Sequence, residues 1–229
     1  MKRITLKRIE ASYGMKEELN TLRTNIQFAG VDKKVLLGTS CLSGEGKSNT
    51  LYRLALSLTE LGKKVLVIDA DMRKSVMVNI VEEGVVEQGL SHYLSGQCNL
   101  ADAVYGTNVR GLHILFAGPV PPNPTELLSS ALFEETVKSF REIYDYVLID
   151  APPLGLVVDA SIIAKVCDAS VLVIEANSIK YRFAQEVKEK LEATGCPILG
   201  VVLNKVERKK SGKYYGKYYN KYYGEKYES

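Results

Sequence analysis

The chain has 229 residues, which at roughly 100–200 residues per domain leaves room for one domain with appendages. Its 46% hydrophobic and 25% charged residues are typical of a globular protein and exclude a wholly disordered chain, a collagen and a coiled-coil rod. The net charge of +3 is unevenly distributed, because residues 205–229 carry eight Lys or Arg and three Glu, a net of +5. The rest of the chain therefore carries −2 (+3 less +5), which does not indicate a dedicated nucleic-acid binder.

Two further features bear on where the protein works. No apolar run approaches the roughly 18 residues of a membrane-spanning helix, and no apolar stretch of a secretory signal follows the basic N-terminus. Cys41, Cys98, Cys167 and Cys196 lack the spacing of a zinc site, so we expect free thiols. Both features predict a cytoplasmic protein.

The first predicted element in chain order is an amphipathic helix over residues 16–28, which ends near Gly30. Short apolar runs follow at 35–37, 65–68, 147–149, 171–174 and 198–203, with a weaker strand candidate at 112–116. These runs are rich in Val, Ile and Leu and do not alternate with polar residues, which is typical of parallel strands buried on both faces.

Helical patterns separate these runs. Apolar residues at helical spacing predict helices near 51–61, 133–144 and 183–191, and shorter helices are expected near 90–94 and 124–128. The alternation of strands and helices predicts an α/β, doubly wound, mainly parallel sheet flanked by helices. After Asn204, three Lys-Tyr-Tyr repeats without aliphatic residues predict a flexible, tyrosine-rich C-terminal tail.

A phosphate-binding loop, Ser-Gly-Glu-Gly-Lys-Ser at 43–48, follows the strand at 35–37 and opens a helix. Its glycines let backbone N–H groups turn towards phosphate oxygens, and the helix N-terminus adds positive potential. Lys47 can reach the β- and γ-phosphates, and the Ser48 hydroxyl can bind Mg²⁺. Cys41 stands where the usual motif has a glycine. It is either a small residue that the loop tolerates or a reactive thiol. The loop predicts nucleotide binding.

Carboxylates follow two of the predicted strands. Asp69 and Asp71 follow the strand at 65–68, and Asp150 follows the strand at 147–149. In a parallel sheet these side chains emerge at the same edge as the phosphate loop, where a metal–triphosphate centre needs them. The alternative role for such strand-end residues is as helix caps or turn formers.

Together these features resemble the bacterial tyrosine kinases of capsule and exopolysaccharide systems, in the Gram-positive, separate-chain form of the CapB/CpsD type. The matching sequences are Gly-Glu-Gly-Lys-Ser at 44–48, Ile-Asp-Ala-Asp-Met-Arg at 68–73, Pro-Pro-Asn-Pro at 121–124, Ile-Asp-Ala-Pro-Pro at 149–153, Leu-Gly-Val-Val-Leu-Asn at 199–204, and a tyrosine cluster. The resemblance runs from about Lys16 to the tail. The ordered set is much more specific than any one of its members.

The resemblance implies a P-loop NTPase-like kinase that uses ATP and Mg²⁺ to phosphorylate its own tail tyrosines and so regulates polysaccharide synthesis and export. The catalytic residues we expect are Lys47, Asp69, Asp71 and Asp150, with Asp69 as the proton acceptor. The expected metal ligands are Ser48, Asp69, Asp71 and Asp150. The expected nucleotide-binding residues are Ser43, Gly44, Glu45, Gly46, Lys47, Ser48, Asn49 and Asn204. The expected phosphate acceptors are Tyr214, Tyr215, Tyr218, Tyr219, Tyr222, Tyr223 and Tyr227.

The resemblance also implies partners and an assembly. It implies a ring of like subunits, a transmembrane adaptor of the polysaccharide co-polymerase type that recruits the chain to the inner membrane face and activates it, and a cognate tyrosine phosphatase. The implied division is an N-terminal segment with an oligomerisation helix (1–33), a P-loop kinase domain (34–205) and a tyrosine cluster (206–229). In that helix, Glu17, Asn20 and Arg23 occupy the positions of the family's Glu-x-x-Arg-x-x-Arg, without its middle arginine. A solvated helix face is the other interpretation of these residues.

Three points stay open at this stage. A partitioning-type ATPase switch carries a signature lysine where this chain has Leu42, which argues against that function. A non-catalytic scaffold that senses ATP is the remaining alternative. Arg73 follows the second carboxylate closely and is expected to contact a phosphate or a neighbouring subunit, or to be an ordinary surface arginine.

Overall fold

The computed structural model of the protein describes residues 2–8 and 12–206. Their strands are β1 (Arg3–Leu6), β2 (Val35–Ser40), β3 (Val65–Asp69), β4 (Val81–Glu83), β5 (Val104–Thr107), β6 (Leu112–Leu115), β7 (Tyr146–Asp150), β8 (Ala169–Glu175) and β9 (Ile198–Asn204). Their helices are α1 (Tyr13–Phe28), α2 (Lys47–Glu60), α3 (Leu90–Leu94), α4 (Leu100–Ala103), α5 (Pro124–Leu128), α6 (Ala131–Ile143), α7 (Asp159–Ala164) and α8 (Tyr181–Glu192). The strands form one sheet in the order β4-β1-β5-β6-β3-β7-β2-β8-β9.

The middle of the sheet is parallel and brings three strand ends together. β6, β3, β7, β2, β8 and β9 pair in parallel, whereas β5 pairs antiparallel with β6, and β1 antiparallel with β4. In the central pairs, Asp69 lies opposite Asp150, and Asp150 lies opposite Gly38. The carboxyl ends of β3, β7 and β2 are therefore neighbours, and the loops that leave them share one edge of the sheet.

Successive residues of the central strands alternate between two hydrophobic cores, because a strand points its side chains to opposite faces with a period of two. Leu37 and Ile149 belong to the core that also contains Phe133 of α6. Leu36 and Leu148 belong to the other core, which contains residues of α1 and α2. Both faces of the strands are thus apolar, which explains why the sequence shows unbroken runs of Val, Ile and Leu.

The predicted fold class is confirmed, and each of the five strong strand candidates and the weaker candidate at 112–116 is a strand. The six predicted helices are present, and α1 begins at Tyr13 rather than Lys16, because Ser12 caps it by accepting from the backbone N–H of Met15. The pattern did not predict β1, β4 and β5, which are three or four residues long. Within the described residues, no helix combines the length and apolarity needed to cross a membrane.

Helix α1 is attached to the body of the protein through one face. Ile26 is buried in the core that it shares with α2. Arg23 donates from Nη1 to the carbonyl oxygen of Ser57 at 2.8 Å and to its hydroxyl at 3.0 Å. The Arg23 guanidinium, which the family resemblance assigns to contacts between subunits, is therefore engaged within this chain.

Candidate active site

The phosphate loop links β2 to α2 and has the backbone shape that only glycine adopts readily. Gly44 and Gly46 have φ of +86° and +89°, in the left-handed region. A Cβ on Gly46 would also lie 2.1 Å from Nδ2 of Asn204. Gly46 is the N-cap of α2 and supplies no side-chain acceptor, so the first N–H groups of α2 are available to an anion such as a phosphate.

The Glu45 carboxylate holds the loop to neighbouring segments. The side chain is buried, and Oε2 accepts from the backbone N–H of Leu42 at 2.7 Å. Its other oxygen accepts from the N–H of Glu175 at 3.3 Å and the hydroxyl of Ser178 at 3.4 Å, just after β8. Glu45 is one of the expected nucleotide-binding residues. Because its carboxylate is occupied by protein groups, its backbone is the part left to contact a ligand.

The end of β9 lies against the same loop. Asn204 donates from Nδ2 to the carbonyl oxygen of Glu45 at 2.9 Å. Lys205 donates from Nζ to the carbonyl oxygen of Gly44 and to the carboxylate of Glu175, both at 2.8 Å. These bonds bring Asn204, an expected nucleotide-binding residue, next to the phosphate loop. The predicted residue Asn49 is on α2 with an exposed side chain whose Oδ1 accepts from Nε of Arg53.

Lys47 lies between two of the three expected carboxylates. Its Nζ is 3.2 Å from Oδ2 of Asp71 and 3.3 Å from Oδ1 of Asp150. Burial disfavours the charged ammonium, but the charges of Asp150 and Asp71 outweigh this and raise the pKa of Lys47. Lys47 is therefore charged at neutral pH, as a residue that binds phosphate oxygens must be.

Asp69 and Asp150 are buried carboxylates in adjacent strands. Burial, reinforced by the negative charge of Asp150, raises the pKa of Asp69 to about 7. Asp69 accepts from the Ser75 hydroxyl and, at 3.2 Å, from the backbone N–H of Asp71. Burial also raises the pKa of Asp150, and the charge of Lys47 and the hydroxyl of Ser48 offset part of that increase.

The arrangement fits Mg²⁺ bound together with a nucleotide. Although Oδ1 of Asp150 is close to Lys47, this buried atom has no hydrogen bond of good geometry in the described part of the chain. Over the same residues, no three His, Cys, Asp or Glu side chains form a group able to enclose a metal ion by themselves. Mg²⁺ in nucleotide sites is typically held by one or two carboxylates, water and phosphate oxygens, so a complete protein cage is not required.

Cys41 is buried at the start of the phosphate loop. Burial, and secondarily the charge of Glu45, raises the pKa of its thiol to about 12. The thiol is therefore protonated at neutral pH and cannot act as a nucleophile. Of the two interpretations left open by the sequence, the structure supports a small residue tolerated in place of glycine.

Sequence reasoning missed the partners of Arg73, a residue for which it left three roles open. The guanidinium of Arg73 bonds to the carboxylate of Asp159 and the hydroxyl of Thr125, both on other segments. No motif indicated these partners, since they are brought together only by the fold. Ser75, which bonds Asp69 from the same loop, was also missed, because no motif marks it. The expected phosphate acceptors at 214–227 lie outside the described residues.

Comparison with known proteins gives three kinds of match. Residues 41–191 match the AAA domain family. The chain is 48% identical over 190 residues to the tyrosine-protein kinase CpsD of Streptococcus agalactiae, an alignment that covers 83% of each chain. The crystal structure of the chimerical protein CapA2B2 matches with a TM-score of 0.82 at 30% identity, over 91% of this chain and 95% of that one. A more distant match, at 27% identity and a TM-score of 0.64, is the septum site-determining protein MinD from Pyrococcus horikoshii complexed with Mg-ADP, over 77% of this chain and 72% of that one.

Proposed function

This chain belongs to the family of bacterial tyrosine-protein kinases of the CpsD/CapB type, and from that premise we propose that it is an ATP-dependent protein-tyrosine autokinase that regulates capsule or exopolysaccharide synthesis. The observation that carries the proposal is the position of Lys47. Its ammonium lies between Asp71 and Asp150, and Lys47 is the first residue of α2, whose N-terminus has no side-chain cap. A triphosphate at that N-terminus would meet backbone N–H groups, a cation and two carboxylates.

The roles of the residues follow from the chemistry of phosphoryl transfer, which depends mainly on positioning and on neutralising negative charge. The loop 43–48 binds phosphate oxygens through backbone N–H groups, and Lys47 adds a positive charge. Ser48, Asp71 and Asp150 would hold Mg²⁺. The metal ion supplies further neutralisation of the charge on the phosphates.

Asp69 is the proposed proton acceptor. A tyrosine hydroxyl has a pKa near 10 and is a weak nucleophile at neutral pH, so a nearby base assists its attack. A carboxylate with a pKa of about 7 is a stronger base than an ordinary aspartate. The proton of the tyrosine hydroxyl would move to Asp69 as the oxygen bonds to the γ-phosphorus of ATP, while the bond from that phosphorus to the bridging oxygen breaks and ADP leaves.

The proposed acceptors are the seven tail tyrosines named above. The last described residues, Lys205 and Val206, follow β9, and Lys205 contacts the phosphate loop through Gly44. The roughly 24 residues beyond Asn204 cannot extend further than about 80 Å. That reach is compatible with transfer within a subunit or to a neighbouring one.

Further parts of the proposal concern partners, and they rest on membership of the family. The chain would form a ring of like subunits, with transfer between neighbours. A transmembrane adaptor of the polysaccharide co-polymerase type would bind it at the inner face of the membrane and activate it. A cognate tyrosine phosphatase would remove the phosphates.

Intact-mass measurement after incubation with Mg·ATP tests the activity. We expect additions of single phosphate units in the wild-type chain, and none in Lys47→Met. Lys138→Met is the matched control, because Lys138 is an exposed lysine paired with Glu134 on α6, away from the site. ADP release without a mass increase would instead indicate an ATPase switch. If neither a mass increase nor ADP release is seen, even with a candidate adaptor peptide, both the kinase and the switch are contradicted.

A further inference from the structure

Arg73, Asp159 and Thr125 form a closed set of hydrogen bonds, here called the Arg73 clamp. Nε of Arg73 donates to Oδ2 of Asp159 at 2.6 Å, and Nη2 donates to Oδ1 at 3.1 Å. The hydroxyl of Thr125 donates to Oδ1 of Asp159 at 2.7 Å and accepts from Nη2 of Arg73 at 2.8 Å. Asp159 is 1% exposed, so its negative charge is stabilised by Arg73 and Thr125 rather than by water.

The clamp joins the two segments that carry the catalytic carboxylates. Arg73 lies two residues beyond Asp71, in the loop that leaves β3. Asp159 is the first residue of α7, at the end of the loop that leaves β7 after Asp150. Thr125 adds α5, which contacts α7. The loops of β3 and β7 are thus held together beyond the sheet as well as within it.

The position of Arg73 is coupled to the positions of Asp69 and Asp71. The backbone N–H of Lys74 donates to Oδ1 of Asp71 at 3.0 Å, and the hydroxyl of Ser75 donates to Asp69. The residues that orient both carboxylates therefore follow Arg73 directly. If Arg73 were released from Asp159, Lys74 and Ser75 could move, and Asp69 and Asp71 would lose part of their orientation.

An arginine–carboxylate pair such as Arg73 and Asp159 is suited to holding two loops in a fixed orientation. An arginine that meets a carboxylate through two parallel N–H···O bonds fixes the relative orientation of the two groups, whereas a lysine provides only a point charge. Removing one partner of a buried ion pair leaves the other charge uncompensated, so the loops would rearrange.

We propose that Arg73 and Asp159 are positioning residues that keep Asp69 and Asp71 aligned with Asp150 for binding Mg²⁺ with the nucleotide. The proposal rests on the proposed function for its biological meaning, but its main consequence is measurable without phosphoryl transfer. It concerns the dependence of nucleotide binding on Mg²⁺.

The test is titration of the full-length chain with a fluorescent ADP, with Mg²⁺ and in EDTA, for wild type, Arg73→Lys, Asp159→Asn and Thr125→Val. We expect Arg73→Lys and Asp159→Asn to raise the Mg²⁺ concentration for half-maximal binding at least tenfold, with ADP affinity in EDTA changed less than threefold. Thr125→Val should have a smaller effect in the same direction. The double variant Arg73→Lys/Asp159→Asn should be no worse than the more affected single variant, because both disrupt one unit.

Arg141→Lys is the matched control, because Arg141 forms an ion pair with Asp168 beside the start of β2, at the opposite edge of the sheet. It should leave the Mg²⁺ dependence unchanged, and thermal unfolding of each variant identifies any that fails to fold. The proposal is overturned if both Arg73→Lys and Thr125→Val bind Mg·ADP as the wild type does, or if Arg141→Lys shifts the Mg²⁺ dependence equally. A wild-type chain that binds Mg·ADP but does not transfer phosphate from ATP, even with a candidate adaptor peptide, would contradict the proposed function and leave the clamp standing.

Discussion

Lys47 places one positive charge next to Asp71 and Asp150, in a region where Asp69 is also buried. Burial raises the pKa of Asp69 and of Asp150, and the excess of negative charge from three carboxylates and one ammonium adds to this increase. Such an arrangement costs folding free energy. The arrangement is therefore suited to a ligand that brings positive charge to the carboxylates, such as Mg²⁺.

The pKa of Asp69 gives a testable pH dependence of stability. The pKa is raised to about 7 in the folded chain from a usual 3.8, so the folded state holds this proton more tightly than the unfolded state does. Stability due to Asp69 is therefore complete below about pH 4 and is lost as the pH rises to about 7. Asp69→Asn removes this loss, and we expect its gain in unfolding free energy over wild type to be more than about 1 kcal/mol larger at pH 8 than at pH 5.

Urea unfolding of both proteins in EDTA at the two pH values measures this difference. Asp145→Asn is the control, because Asp145 accepts from the N–H of Lys64 in a partly solvated position at the other end of β7. A gain for Asp69→Asn that is the same at pH 5 and pH 8 would show that Asp69 does not titrate in this range.

Glu45 provides a second test at the level of a single residue. Its carboxylate accepts from the N–H of Leu42 and from groups at and just after the end of β8, so it fixes the shape of the phosphate loop without needing to touch a phosphate. Hydrogen bonds to a charged acceptor contribute about 1.5–3 kcal/mol, so Glu45→Ala should weaken ADP binding by about 10–100-fold. Glu45→Gln should lose less, because its amide oxygen can still accept one of these bonds.

The measurement is fluorescent-ADP titration, with Glu134→Ala on the exposed face of α6 as the control. Equal affinities for Glu45→Ala and wild type would mean that the loop keeps its shape without this carboxylate.

At the level of elements, α1 is bound to α2 through polar contacts as well as through Ile26. The Arg23 guanidinium is largely buried and donates to both oxygens of Ser57, with Glu60 3.8 Å away. Its role within the chain does not depend on a neighbouring subunit. This differs from a solvated helix face, which the sequence also allowed.

Removal of the Arg23 side chain should therefore reduce stability. Arg23→Ala leaves the Ser57 acceptors without this donor, and we expect a loss of about 1–3 kcal/mol in the free energy of unfolding. Arg182→Ala should change it by less than about 0.5 kcal/mol, since Arg182 is exposed and paired only along α8. Urea unfolding compares them. Unchanged stability of Arg23→Ala, together with altered sedimentation, would instead assign Arg23 to contacts between subunits.

At the level of the whole molecule, the last prediction follows from the concentration of positive charge in residues 205–229, while the rest of the chain is slightly negative. Each phosphate adds about −1.5 to −2 charges, so seven would add about −10 to −14. That exceeds the net +5 of residues 205–229 and reverses its sign. We expect the resulting repulsion to drive an oligomer apart.

Analytical sedimentation before and after incubation with Mg·ATP measures this, and phosphorylation should lower the average mass. A variant with phenylalanine at all seven tail tyrosines should keep the larger mass throughout. Unchanged sedimentation of a heavily phosphorylated wild type would rule out charge repulsion as the cause of disassembly.

The parts of the fold that could be predicted are those whose hydrophobic pattern is complete within a short stretch of sequence. The strands at 35–40, 65–69 and 146–150 are buried on both faces, so each contains an unbroken apolar run of three or four residues. The strand β1 was not predictable, because it is four residues long at the outer part of the sheet and only half buried. Its pairing with β5 and β4 depends on residues about 80 to 100 positions away.

By itself, the sequence determined the α/β class, the phosphate loop and the edge of the sheet at which Asp69, Asp71 and Asp150 meet. The reason is that the apolar runs, the carboxylates that directly follow them and the composition of the loop all lie within short stretches of sequence. Only the tertiary structure decided what each charged group touches. It assigned Arg73 to Asp159, Glu45 to the amide of Glu175, and Arg23 to Ser57. The physical reason is that a buried charge must find its partner among whatever groups the packing of distant segments brings within hydrogen-bonding range.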